Sequence, residues 1–317
     1  MEEAGNGAWG SPDQAGLLAV REHWLEKIQG IKQWSRDGKR APHKPLLILY
    51  ALGRLQRTGT SASSFVEAEP IVDRLLADFG PPNKTSSAYP FHHLESDGFW
   101  NVDALDGYSG TSRIRLRANA ATGSFSPDLE AALVADPALV VLLGRAVLEE
   151  HFAPSLHLDI CELAGLDLES AEHALVVSRL AQARRRDPEF RRLVLVAYEY
   201  RCAMCGYDGR LGGEAVGLDA AHVRWWAFDG PDTIDNGLCL CSLHHKLLDR
   251  GVMGVDLEHR VTVSEEFVAT GVSAEALVFD LVGRRLIGPQ RGKPVPGEEH
   301  LDWHATQVFR GAARIPA

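Results

Sequence analysis

The chain has 317 residues, 45% of them hydrophobic and 24% charged, the make-up of a soluble globular protein long enough for two cores. Its net charge of −10 at pH 7 excludes a nucleic-acid binder that is basic over its whole surface. No run approaches the ~18 apolar residues of a membrane span, and the acidic N-terminus lacks the basic start of a signal peptide. The expected location is the cytoplasm, with no membrane partner. Five cysteines, four of them close together, fit a reducing compartment, with Cys161 as a buried thiol.

Residues 1–14 are rich in glycine and acids and are expected to be disordered. Leu17, Leu18, Val20, Trp24, Leu25, Ile28 and Ile31 then recur at helical spacing. A basic cluster follows, Arg36, Lys39, Arg40 and Lys44, against the single acid Asp37. Pro45 opens a leucine-rich helix over 46–52, and Phe65 starts a helix that ends at Gly80-Pro81-Pro82. Tyr89-Pro90-Phe91-His92-His93-Leu94 and Asp97-Gly98-Phe99-Trp100-Asn101-Val102 read as extended segments around a turn. Residues 107–116 read as a flexible loop carrying Arg113 and Arg115, and 136–152 as a helix that closes the domain.

Residues 153–168 read as a linker and 170–186 as a connecting helix, which ends in a second basic run, Arg184, Arg185, Arg186, Arg191 and Arg192. A solvated charged face explains that run as well as a phosphate contact does. Asp187-Pro188 opens the helix that leads into Cys202.

The stretch 202–251 carries the chemistry. Cys202 and Cys205 form a knuckle with a two-residue gap, and Cys241 with His244 repeats that gap. Two such pairs have the spacing of a tetrahedral structural Zn²⁺ site. Cys239 is an alternative to His244, although the repeated gap favours His244. Residues 215–223 read as a strand, Asn236-Gly237 as a turn into a strand over 238–240, and 242–250 as a helix capped by Ser242 with Gly251 past its end. On that helix His245 and Asp249 are four apart and share a face. An imidazole and a carboxylate suit a hard divalent ion with open positions. Beyond it, residues 257–267 and 277–286 look like short strands, and 301–304 opens a closing helix in which His304 is structural.

The leftover His222, Asn236 and His245, in that order and with these flanks, resemble the HNH endonucleases. The resemblance implies a ββα-metal fold that hydrolyses phosphodiesters with one divalent ion, Mg²⁺ or Mn²⁺. It casts His222 as the base that deprotonates water, Asn236 as the support of the His222 loop, and His245 as an ion ligand. Ala221 stands where many such enzymes carry a further ligand, so Asp249 or Asp219 must supply it. Strand alternation turns Asp219 away from His222 unless a bulge re-aims it, which favours Asp249.

His43-Lys44-Pro45, Phe79-Gly80-Pro81-Pro82, Tyr89-Pro90-Phe91 and Asp97-Gly98-Phe99-Trp100 together look like the sulfur-binding domain of phosphorothioate-dependent restriction endonucleases. The resemblance implies double-stranded phosphorothioate DNA as partner. Tyr89 and Pro90 would form an apolar dent for the weakly hydrated sulfur, with Arg40, Pro42, His43 and Lys44 at the phosphate, His92 and His93 beside it, and Arg113 and Arg115 as further contacts. His92-His93 and His43 depart from the residues expected there.

The expected architecture is α+β in two domains. A mainly helical reader spans 1–155, a linker and connecting helix 156–186, and a ββα-metal HNH nuclease with structural zinc 187–317. The expected function is modification-dependent DNA cleavage. The alternatives are an HNH nuclease directed by another mark, such as methylated cytosine, and a non-catalytic regulator that uses the HNH fold as a scaffold. One HNH site per chain makes a homodimer the expected unit for a two-strand cut.

Overall fold

In the computed structural model the described residues are 12–31, 42–82, 85–168 and 188–315. The expectations for residues 1–11, for Arg36, Lys39 and Arg40, and for the connecting helix with Arg184, Arg185 and Arg186 lie outside them. The architecture is α+β with two cores, the first mainly helical and the second built from short hairpins and helices.

The first core is organised on α2 (His43–Thr58), whose residues 46–52 are all buried. Against it pack α3 (Phe65–Phe79), α4 (Ala88–His93), α7 (Pro137–His151) and α8 (His157–Ala164), and α1 (Pro12–Gln29) lies on α7. Ser64 caps α3 by accepting from Glu67 N while the Glu67 side chain accepts from Ser64 N, a reciprocal box that fixes where the helix begins. A small antiparallel sheet, β1 (Ser63–Ser64), β3 (Thr122–Phe125) and β2 (Trp100–Asp103), lies beside it, with α5 (Arg113–Ala118) and α6 (Pro127–Ala135) at its ends.

Three expectations change here. Residues 89–94 are helical in α4 and the 3-10 turn after it, not extended. Phe91 is buried edge-on to both Phe65 and Trp100, and its carbonyl accepts from Trp100 Nε1 at 2.9 Å, so tertiary packing overrides the local signal. The loop over 107–116 ends in α5, capped by Ser112. Residues 153–168 are not a linker: Leu156, Ile160, Ala164 and Leu166 are buried in the first core.

The second core begins with α9 (Pro188–Ala197). The hairpin β4 (Arg210–Leu211) and β5 (Glu214–Ala215) precedes the main pair, β6 (Leu218–His222) and β7 (Gly237–Cys241), which is antiparallel with His222 opposite Gly237 and Leu218 opposite Cys241. Helix α10 (Ser242–Asp249) follows directly, so β6, β7 and α10 form the ββα unit. Cys241 is its N-cap and Ser242 its first residue, while Gly251 turns the chain with φ +70. The hairpin β8 (Met253–Val255) and β9 (Val261–Val263), α11 (Val272–Leu277) and α12 (Glu298–Gln307) complete it. Residues 277–286, expected as a strand, hold only one isolated bridge, Arg260 with Arg285.

The two cores meet over an apolar seam. Trp225, Phe228 and Trp303 of the second half pack ring against ring and join the first core, and Arg310 donates to the carbonyls of Asp78 and Gly80 at the end of α3.

Candidate functional site

The cysteine cluster forms where the knuckle meets the start of α10. Cys202 N donates to Tyr207 O and Gly206 N to Cys202 O, and Gly206 takes φ +79 to close the turn. The ligand atoms of Cys202, Cys205, Cys241 and His244 lie within 4.8 Å of one another. A tetrahedron with Zn–S bonds of about 2.3 Å spaces its ligand atoms by roughly 3.7 Å, so these four fit the ion with small adjustments. His244 Nε2 donates to Leu277 O at 2.8 Å, which leaves Nδ1, 3.2 Å from Cys241 Sγ, as the ligand atom. Hydrogen bonds among Cys202, Cys205 and Cys241 favour one thiolate within the group, the form in which a cysteine binds Zn²⁺. Cys239 lies elsewhere, buried in the second core, and burial pushes its thiol up to about 12.

The second cluster lies on the face of the ββα unit turned toward the first domain. His222, His245 and Asp249 line one cavity of about 30 Å³ with Ala220, Trp225, Trp226, Glu149 and residues 152–154. His245 sits between two acids, with Nε2 3.3 Å from Asp249 Oδ2 and Nδ1 3.8 Å from Asp219 Oδ2. The hydrogen bond to His245 holds the Asp219 carboxyl below the usual carboxylate range. Asp219 is half exposed and does not line the cavity, whereas Asp249 is 3% exposed and does. Ser155 of the first domain donates to Asp249 Oδ2, and Lys246 of α10 pairs with Asp159 at 2.9 Å.

Asn236 is fully buried and holds the loop between the strands. Its Oδ1 accepts from Arg224 N at 2.8 Å, and its Nδ2 donates to Arg224 O at 2.9 Å and Pro231 O at 3.0 Å. Gly230 is needed there, because a Cβ would stand 1.8 Å from Arg224 O. Sequence reasoning missed Asp232, whose Oδ1 lies 2.7 Å from His222 Nε2, and Phe190, whose ring stacks on His222 at 4.0 Å. An acid in the Gly230-Pro231-Asp232 turn, four residues before Asn236, was the available signal.

The first domain gathers a different set. The start of α2 abuts α4, and the rings of Tyr89 and His92 flank that of His93. Burial, then the charges of His92 and Lys44, lower the basicity of His93. Tyr89 is exposed and its ring lies 5.8 Å from that of His93, while Pro90 and Pro42 are buried. Lys44 Nζ is 2.6 Å from Asp97 Oδ2, and His43 Nε2 bonds Thr85 Oγ1 at 2.9 Å. Arg113 pairs with Glu69 and with Asp73, the latter at 2.7 Å, and Arg115 lies over the Tyr108 ring.

These geometries belong to a two-domain protein in which a metal-capable ββα unit is joined to a helical module. Residues 202–256 match the HNH endonuclease family, and residues 21–169 match the family described as the ScoMcrA-like DNA sulfur-binding domain. The match to the HNH endonuclease family takes in the whole ββα unit of the second half. The chain carries at its N-terminal side a ScoMcrA-like sulfur-binding domain. Among solved structures it is similar to the sulfur-binding domain of SprMcrA complexed with phosphorothioated DNA, at 21% identity over 46% of this chain and 94% of that one, with a TM-score of 0.40. The same domain of ScoMcrA, also with phosphorothioated DNA, aligns at 20% identity, 45% and 95% coverage and a TM-score of 0.39. The type IV phosphorothioation-dependent restriction endonuclease ScoMcrA aligns at 18% identity over 52% of this chain and 35% of its own, with a TM-score of 0.38. No curated protein sequence matches the chain. No single helix among the described residues is long and apolar enough to cross a membrane.

Proposed function

We propose that the chain binds phosphorothioate-modified duplex DNA through its first domain and hydrolyses phosphodiesters nearby through the second. The observation that carries this is the convergence of His222, His245 and Asp249 on one cavity. His245 and Asp249 would hold a Mg²⁺ or Mn²⁺ ion, with Asp219 on the outer side of His245. Such an ion, when bound, neutralises charge on the scissile phosphate and its leaving oxygen. His222 takes the proton of the attacking water. Asn236 keeps the His222 loop closed through its three bonds to backbone. Zn²⁺ at Cys202, Cys205, Cys241 and His244 would be structural, since its four protein ligands leave no open position.

In the first domain the reading places the modified phosphate beside Lys44, His92 and His93, with the exposed Tyr89 ring against the sulfur and Pro90 backing it. Sulfur is less hydrated than the oxygen it replaces, so apolar carbon costs it little. A phosphate oxygen there forfeits hydrogen bonds to water, about 1–3 kcal/mol. The reader domain runs to about residue 168 and the nuclease begins near 188, and a two-strand cut would take two chains, each with one HNH site.

A cavity of about 30 Å³ is too small for a phosphodiester, so a substrate reaches His222 only when part of the wall, which includes residues 152–154 and Trp226, gives way. The binding half is tested with the full chain carrying His222→Ala, by fluorescence anisotropy on duplexes with and without one phosphorothioate. Preference for the modified duplex by roughly 5- to 150-fold, the equivalent of the 1–3 kcal/mol difference, supports the reading. Equal affinity at physiological salt removes it.

A further inference from the structure

The loop between β6 and β7 makes a contact that the HNH resemblance did not supply. Asp232 Oδ1 lies 2.7 Å from His222 Nε2, with the imidazole 8% exposed and flat against Phe190 of α9 at 4.0 Å and 18° between rings. A carboxylate accepts only, so the neutral imidazole must carry its proton on Nε2. Its unprotonated nitrogen is then Nδ1. The stack with Phe190 stops the ring from tilting, and the Asp232 bond stops it from flipping about its own axis.

Asp232 is itself held. Its neighbour Pro231 accepts from Asn236 Nδ2 at 3.0 Å, and Asn236 also grips both backbone groups of Arg224, two residues beyond His222. One buried amide thus ties the two ends of the loop, and the acid at one end meets the imidazole at the other. Gly230 permits the approach, because its Cβ position is taken by Arg224 O.

We propose that Asp232 is a positioning residue for the base: it fixes the His222 ring and its tautomer, and it stabilises the imidazolium formed when water gives up its proton. The bookkeeping is simple. Water loses a proton to Nδ1, Nε2 keeps its own and continues to donate it to Asp232, and Asp232 remains ionised. This rests on the reading of His222 as the base. The other ionisable groups around His222 are Glu149 of α7 and His245 and Asp249 of α10, all on the same cavity. Asp232 is in hydrogen-bond contact with Nε2 of the ring.

The test compares full-length wild type, Asp232→Asn, Asp232→Glu and His222→Ala. Cleavage of phosphorothioate-modified supercoiled plasmid in Mn²⁺ is followed from pH 5 to 9. In parallel, ¹⁵N-histidine spectra of the metal-free chains read the His222 tautomer, with His222→Ala assigning the signal. A carboxylate at contact favours the imidazolium over the neutral ring. Asp232→Asn should therefore move the acid limb to lower pH. It should slow cleavage by about 10- to 100-fold, a share of the ~10²–10⁴ of a general base. Asp232→Glu should restore part of the rate and the position of the limb, and the wild-type signal should be that of the Nε2–H form. A slower Asp232→Asn with an unmoved limb, no rescue by Asp232→Glu and an unchanged tautomer would leave Asp232 as a loop support and overturn the proposal. So would a wild-type rate in Asp232→Asn while His222→Ala is dead. Cleavage by His222→Ala at the wild-type rate would remove the reading of the base itself.

Discussion

Asn236→Ala is the sharpest test of how the loop is built. The wild-type amide is fully buried and satisfies three backbone groups, Arg224 N, Arg224 O and Pro231 O. Truncation leaves all three without that partner in a place water reaches only in part. Three bonds at about 1 kcal/mol each, with part of the desolvation penalty added, give a loss of about 3–5 kcal/mol. Against a domain stability of about 5–15 kcal/mol, that loss brings the second domain near its unfolding threshold. Urea unfolding followed by tryptophan fluorescence measures it. Asn236→Asp should be about as damaging, because it turns a carboxylate toward the two carbonyls that now accept from the amide. At low temperature, where the variant is still folded, cleavage should also fall, since Pro231 no longer holds Asp232 beside His222. A loss below about 1 kcal/mol in both variants would refute the idea that this side chain carries the loop.

Other outcomes follow from the same geometry. Cys241→Ser should leave the protein with less than one tightly held zinc per chain by metal analysis and make it protease-sensitive, because the ion would tie the Cys202 knuckle to the start of α10. Lys44→Ala should weaken modified and unmodified duplexes alike and lower the salt slope by about one, which anisotropy at several salt concentrations checks. Residues 152–154 line the cavity and Ser155 bonds Asp249, so amide exchange there should quicken when modified duplex enters, and unchanged protection during productive cutting would count against entry on that side. Asp249→Ala should raise the Mn²⁺ concentration needed for cleavage by about 10-fold or more, with an unshifted requirement pointing to Asp219 instead.

What could be read in the sequence was what spacing alone determines. The two-residue gaps of Cys202 with Cys205 and Cys241 with His244 are local, and they meet because β6 and β7 pair and α10 follows at once. His245 and Asp249 share a helix face for the same reason. What long-range packing decides was out of reach. Residues 89–94 become helical because Phe91 is fixed between Phe65 and Trp100. Residues 153–168 fold onto the first core because Ile160, Ala164 and Leu166 find α2 and α3 beside them. The contacts of Asp232 with His222 and of Ser155 with Asp249 depend on a loop path and on the seam of Trp225, Phe228 and Trp303, neither of which has a periodicity to read.

The central claim joins sulfur recognition to cleavage at His222. Its most direct test incubates full-length wild type and His222→Ala with matched plasmids, phosphorothioate-modified and unmodified, in Mn²⁺ at physiological salt. The account predicts that wild type cuts the modified plasmid alone, and that His222→Ala cuts neither while still binding the modified one. Equal cutting of both plasmids, or cutting by His222→Ala at the wild-type rate, would contradict it.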